Sequence, residues 1–210
     1  MQVKWLLLLC LICLNLNSGL QSKLKSQNSE HLLVFDMSTN AQEFYRSKRD
    51  ALIKDFEKFR AEPYRDSEGI PTIGYGTTSY PDGRAVTMND QPITEDVADT
   101  YFQHHVGKFN DHISQSPGFS DLDDGTQAAL TSFAYNTGPN VFTAPKGYET
   151  LQGAVRSGDK GQIADAMRLY NNGGNAGLNR RREAEINLMN TKYQSPNPYN
   201  GGDMSPNPYN

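Results

Sequence analysis

Three side chains between Glu57 and Gly76 have the types and spacing for acid–base chemistry. Eight residues separate Glu57 from Asp66, and five separate Asp66 from Thr72. Glu57 falls at the end of a helical pattern, whereas Asp66 opens a Gly- and Pro-punctuated hairpin. Carboxylates on different, rigidly joined elements can face each other across a cleft, which adjacent acids on one helix face cannot. Cleavage of a glycosidic bond needs such a pair, one acid protonating the leaving oxygen and the other handling water or the sugar cation. On spacing alone Glu57 also fits a surface acid paired with Lys54 or Arg60. The register of Asp66 and Thr72 selects the chemical reading.

The elements that must carry these groups can be read from periodicity. Tyr45, Leu52, Phe56 and Phe59 recur at helical spacing over about residues 41–60, and Pro63 is expected to end that helix. Glu57 then lies in its last turn, where the negative end of the helix disfavours a charged carboxylate and suits a proton donor. Tyr64 to Tyr80 reads as a hairpin, turning at Asp66–Gly69 and returning along Pro71–Gly76. Gly74 and Gly76 either mark a bulge or admit the close approach of a backbone or a sugar. A further strand is expected over Arg84–Thr87. Thr94 caps the next helix, whose apolar line is Val97, Tyr101, Val106, Phe109 and Ile113. His104 and His105 are adjacent on it and point in different directions, with His112 eight residues on, so no metal site is expected. Gly125–Gly138 is a small-residue helix suited to a central position, with Ala128, Ala129 and Ala134 permitting close packing. Two short helices, about 148–157 and 160–170, precede a last one containing Gly177-Leu-Asn-Arg-Arg-Arg-Glu-Ala-Glu185.

The Glu57, Asp66 and Thr72 spacing, joined to the strand Thr72-Ile-Gly-Tyr-Gly76, resembles the phage-type lysozymes (endolysins, glycoside hydrolase family 24). The resemblance extends over roughly residues 45–190. It implies an α+β, lysozyme-like two-lobed fold: a small β-hairpin lobe, a larger α-helical lobe and a cleft between them. It also implies hydrolysis, without a cofactor, of the β-1,4 bond between N-acetylmuramic acid and N-acetylglucosamine in peptidoglycan, with inversion. Glu57 would be the general acid. Asp66 would stabilise the oxocarbenium charge or activate a water, and Thr72 would position that water. Tyr75 and Gly76, at the end of the same strand, would bind substrate. Asn136 corresponds to a helix end that borders the cleft, which makes it a substrate contact, a contact on the Asp66 side, or simply a helix cap. The G-L-x-x-R-R-x-x-E segment implies that Arg181 reaches Glu57 across the lobes and orients it. Arg182 and Glu185, at i and i+3, read as a helix-surface pair. Two departures stand out. Relatives commonly carry His where this chain has Thr77, so the small lobe must be braced differently, and Trp near Tyr170, which is expected to take over its packing role.

The ends are unlike the middle. The apolar run Trp5–Leu14 follows Lys4 and is too short to span a bilayer. It reads as a secretory signal over residues 1–19, with a membrane-retained signal anchor as the alternative. Both cysteines, Cys10 and Cys13, lie there, so the exported domain carries no disulfide. Residues 20–40 read as a polar linker, 41–192 as the catalytic domain, and 193–210 as a Pro/Asn/Gly-rich tail in which Ser195–Asn200 recurs verbatim as Ser205–Asn210. The formal charge is -4, and no basic stripe interleaved with aromatics occurs, which argues against nucleic acid. The expected product is a secreted monomer that meets peptidoglycan through its cleft and keeps no stable membrane association once the signal is removed. Two other readings stay open: a lytic transglycosylase, which needs an acid but no water activator, and a wall-recognition module without catalysis.

Overall fold

A computed structural model describes residues 37–195. The expected signal, most of the linker and most of the repeated tail lie outside the described residues. The chain divides into two units, Phe44–Tyr193 and a second made of Met1–Glu43 with Gln194–Asn210. The first contains all of the site and every element below except the start of the first helix.

Helix α1 spans residues 37–57. It begins four residues before the expected start at 41, and it ends on Glu57 rather than running on towards Pro63. The stop is Lys58, whose backbone turns left-handed (φ 57°) while its N–H bonds to the Lys54 carbonyl at 2.9 Å. Pro63 lies instead inside strand β1, Arg60–Arg65, which pairs antiparallel with β2, Pro71–Gly74. A two-stranded ribbon has two edges, so a strand proline need not cost a ladder bond. Tyr64 pairs with Thr72 and Arg65 with Pro71, and a bulge separates these pairs from Arg60 opposite Gly74.

The strand expected over Arg84–Thr87 is reduced to a bridge between Ser79 and Ala85 and one bond from Val86 N–H to the Thr78 carbonyl (2.9 Å). Asp90 takes over this stretch. Its carboxylate accepts from the Thr87 N–H (2.9 Å), the Thr87 hydroxyl (3.0 Å) and the Tyr80 hydroxyl (2.7 Å), and it pairs with Arg84 (3.2 Å). With His105 Nε2 at 2.7 Å from the Ser79 carbonyl, these contacts brace the small lobe.

Helix α2, Glu95–Ile113, is capped by the Thr94 hydroxyl on the Val97 N–H. Its buried line is Ala98, Phe102, Val106 and Ile113; Val106 and Ile113 are as expected, but in the first two turns Ala98 and Phe102 replace the expected Val97 and Tyr101, and Val97 is exposed. The reason is Gly74: a β-carbon there would stand 3.0 Å from the Ala98 methyl, so strand and helix meet through their smallest side chains. At about 1.5 Å per residue α2 is long enough to serve both lobes. Phe102 packs with Ile53 and Tyr75 in the small one, and Ile113 joins the helical core.

That core is built on α3, Asp124–Thr137, buried along most of its length. Around it lie α4 (Glu149–Ser157), α5 (Lys160–Arg168) and α6 (Ala176–Asn190). Tyr170 meets Phe133 edge-on at 5.1 Å and stacks on Tyr148, the packing role expected of it. Tyr45 of α1 closes the domain: its hydroxyl donates to the Thr191 carbonyl (2.8 Å) and accepts from the Tyr193 N–H (3.0 Å).

The contacts around Asp90 generate a pH dependence. The Thr87 N–H first, then the Tyr80 hydroxyl, the Thr87 hydroxyl and Arg84 hold its carboxyl down at about 2, with burial opposing, against about 3.9 in an unfolded chain. A lowered folded-state value means stability that is full above about pH 4 and is lost as pH falls towards about 2. Thermal midpoints measured across that window should fall, and Asp90→Asn should start lower at neutral pH and lose less on acidification.

Candidate active site

Glu57 stands where α1 gives way to β1, half-buried at the seam of the two lobes. Its Oε1 accepts from Arg181 Nη1 of α6 at 2.6 Å. Its Oε2 faces Gly76, where an added β-carbon would sit 3.5 Å from that oxygen and 3.8 Å from the Tyr135 ring. Gly76 is also left-handed (φ 88°), so the residue is glycine for backbone reasons as well as for access. Tyr135 is anchored by its hydroxyl, which donates to the Tyr75 carbonyl at 2.7 Å.

Arg181 is not a free arm. Its Nε contacts Glu185 Oε1 (3.2 Å), and its guanidinium lies 5.4 Å from the Phe56 ring centroid. Arg182 pairs through Nε with Glu185 Oε2 (3.0 Å), packs on the Phe133 face (4.5 Å) and donates from Nη2 to Asn136 Oδ1 (2.7 Å). Ser132 of α3 donates to Glu185 Oε1 at 3.0 Å. The side chains of Arg182 and Glu185 are 1% and 0% exposed, so the expected surface pair is a buried one. Adjacent arginines at i−4 and i−3 share a single carboxylate because that face of α6 is pressed against α3, and Arg180 alone of the three remains outside. Burial pushes the Glu185 carboxyl above its ordinary range, with Arg182, Arg181 and Ser132 opposing. It also lowers Arg182, which stays charged all the same.

The hairpin supplies the remaining groups. Asp66 Oδ1 accepts from the Glu68 and Ile70 N–H groups (2.9 and 2.8 Å) and so shapes the turn. Its Oδ2 has no hydrogen-bond partner among the described residues. Thr72 is buried, and its hydroxyl donates to the Ile70 carbonyl at 2.9 Å. Tyr75 does not line the site. Its ring is enclosed by Phe59 and Phe102, its hydroxyl donates to Glu95 at 2.5 Å, and burial, then Glu95, pushes the phenol up to about 12. β2 ends at Gly74, and the turn that follows swings residue 75 inward, so Tyr75 contributes only its backbone. Asn136 is exposed at the end of α3 with its Oδ1 held by Arg182.

Glu57, Gly76 and Arg181 are thus in contact, and Asn136 is linked to them through Arg182 and Glu185. Composition and periodicity did not single out Tyr135, Ser132 or Glu185 as part of the site. The signal for Glu185 was present all the same, since Arg-Arg-x-x-Glu puts one acid within reach of two successive arginines.

A helical lobe and a small hairpin lobe, with a carboxylic acid at their seam, define a lysozyme-like glycoside hydrolase. Residues 54–185 match the family described as Phage lysozyme. Among solved structures, the endolysin from Escherichia coli O157:H7 phage FAHEc1 is 32% identical with a TM-score of 0.57, over 68% of this chain and 90% of that one. The muramidase domain of SpmX from Asticaccaulis excentricus is 25% identical (TM-score 0.54; 69% and 95% covered). A mutant of P22 lysozyme is 27% identical (TM-score 0.54; 69% and 97% covered). No curated protein sequence matches the chain. The chain belongs to the phage lysozyme family, and it is a peptidoglycan-hydrolysing glycosidase.

Two substitutions test this architecture. Glu185→Ala strips two buried guanidiniums of their shared counter-charge and should cost about 3–5 kcal/mol in urea unfolding. Gly76→Ala should cost about 1–2 kcal/mol for its left-handed backbone. Because the new methyl would point at Glu57 Oε2, lysis by Gly76→Ala should fall further than its stability does.

Proposed function

We propose that the enzyme is an exported, monomeric, inverting muramidase that cleaves the β-1,4 bond between N-acetylmuramic acid and N-acetylglucosamine, with Glu57 as general acid. The observation that carries this reading is the division of labour on the Glu57 carboxyl: Oε1 is fixed by Arg181, and Oε2 is turned to the glycine-floored side. Oε2 delivers the proton to the departing glycosidic oxygen. A guanidinium on the other oxygen fixes the carboxyl plane and compensates the charge left after transfer.

Asp66 is constrained in a similar way. With Oδ1 occupied by two backbone N–H groups, Oδ2 is the atom that activates water or faces the sugar cation. Thr72 already donates its proton to Ile70, so towards a water it can act only as an acceptor. A water held between Thr72 and Asp66 would direct its own protons at both and its lone pair at the anomeric carbon. Asn136 accepts Arg182 on Oδ1 and presents its Nδ2 donor to the glycan. Export rests on the leader-like residues 1–19; among the described residues no helix is long and apolar enough to cross a membrane.

Clearing of permeabilised bacteria tests the assignment. Glu57→Gln should lower the rate by about 10²–10⁴-fold with its fold unchanged by circular dichroism, and equal clearing by both proteins would remove Glu57 from the mechanism. Proton NMR of the first-formed product should show the α-anomer at the new reducing end. A β-anomer would mean retention, and an anhydro sugar would mean a transglycosylase.

A further inference from the structure

Two tyrosines on or behind the seam have hydroxyls committed to the protein: Tyr75 to Glu95, and Tyr135 to the Tyr75 carbonyl. Tyr64 differs. It is half-buried on β1, directly across from Thr72 and two residues before Asp66, and its hydroxyl has no hydrogen-bond partner among the described residues. The ring itself is fixed. The Arg60 guanidinium lies 4.2 Å from its centroid, stacked across the bulge that separates Arg60 from Tyr64 in the register. A stacked guanidinium holds an aromatic ring by cation–π attraction while leaving the hydroxyl edge open.

The electrostatic surroundings agree with this placement. Burial raises the phenol first, and the negative charges of Glu57 and Asp66 raise it further, with Arg60 opposing. The group is therefore within the field of both carboxylates and keeps its proton at any working pH. A neutral donor beside two acids is suited to an uncharged acceptor, and a glycan offers hydroxyl, ring and acetamido oxygens.

We propose that Tyr64 is a substrate-binding residue, its hydroxyl donating a hydrogen bond to a sugar oxygen of the glycan between Glu57 and Asp66 while Arg60 holds its ring. The proposal rests on the glycosidase reading of this site. Its contact is made to the ground-state sugar and so affects binding as well as turnover.

Tyr64→Phe removes only the hydroxyl and keeps the ring and its stack. With soluble glycan fragments of peptidoglycan, kcat/KM should fall about 3- to 10-fold, mainly through KM, which is the scale of one neutral hydrogen bond. The thermal midpoint should not move. Titration of the same fragments into Glu57→Gln, with and without Tyr64→Phe, should show the same factor in Kd without any turnover. Arg60→Gln should weaken binding when Tyr64 is present and change it little in the Tyr64→Phe background. Values within twofold of the parent in both kinetics and titration would overturn the proposal, as would a loss that follows a fall in the midpoint. If the parent binds these glycans but does not cleave them, the glycosidase mechanism fails while the titration still decides on Tyr64.

Discussion

One buried carboxylate sets the terms for the site. Glu185 is shared by two successive guanidiniums in the interior of the helical lobe, and each guanidinium reaches outward to a different group, Arg181 to Glu57 and Arg182 to Asn136. Without that counter-charge, two adjacent cations could not be held in a low-dielectric core. With it, the position of the acid at the lobe seam and the orientation of an exposed amide are fixed from the same point inside the protein. Ser132, donating from α3, ties this point to the helix at the centre of the core.

The small lobe is organised on a different plan. It has a two-stranded sheet over two small apolar clusters, one around Ile53, Tyr75 and Phe102 and one around Ile73, Tyr80 and Val86, and side chains bonding to backbone add order to its loops: Asp66 in the hairpin turn, Asp90 in the following loop and His105 on Ser79. A short ribbon is marginal by itself. Here it is backed by α2 through the Gly74–Ala98 contact and by Ile53 of α1. The seam therefore lies between a lobe with one large apolar core and one with two small clusters supplemented by side-chain-to-backbone hydrogen bonds.

Much of this was legible from residue spacing. The hairpin that carries Asp66, the Thr94 cap and the central small-residue helix depend on local rules, whereas the reach of Arg181 to Glu57 is long-range and was implied only by the resemblance of its segment. What sequence misjudged depends on tertiary contacts. Pro63 marks the end of a helix by propensity, yet Lys58 turns the chain first. Val97 fits the apolar period, but at the start of the helix the glycine opposite Ala98 brings Ala98 and Phe102 inward in place of Val97 and Tyr101. Tyr75 belongs to a conspicuous strand motif, and two left-handed glycines on either side of it send its ring into the core. Arg182 and Glu185 look like a surface pair because charge is usually exposed, whereas here a whole network is buried together.

The clasp formed by Tyr45 has a topological consequence. Its hydroxyl bonds both Thr191 and Tyr193, and the Phe44 ring lies 5.4 Å from that of Tyr193, so the domain begins and ends at one spot. A chain that closes on itself in this way is nearly a ring already. A few residues joining position 193 to position 44 would complete it at little loop-closure cost, and new termini could be opened in a surface loop of the helical lobe. For the same reason the whole domain could be inserted into a loop of another protein without prising its host apart.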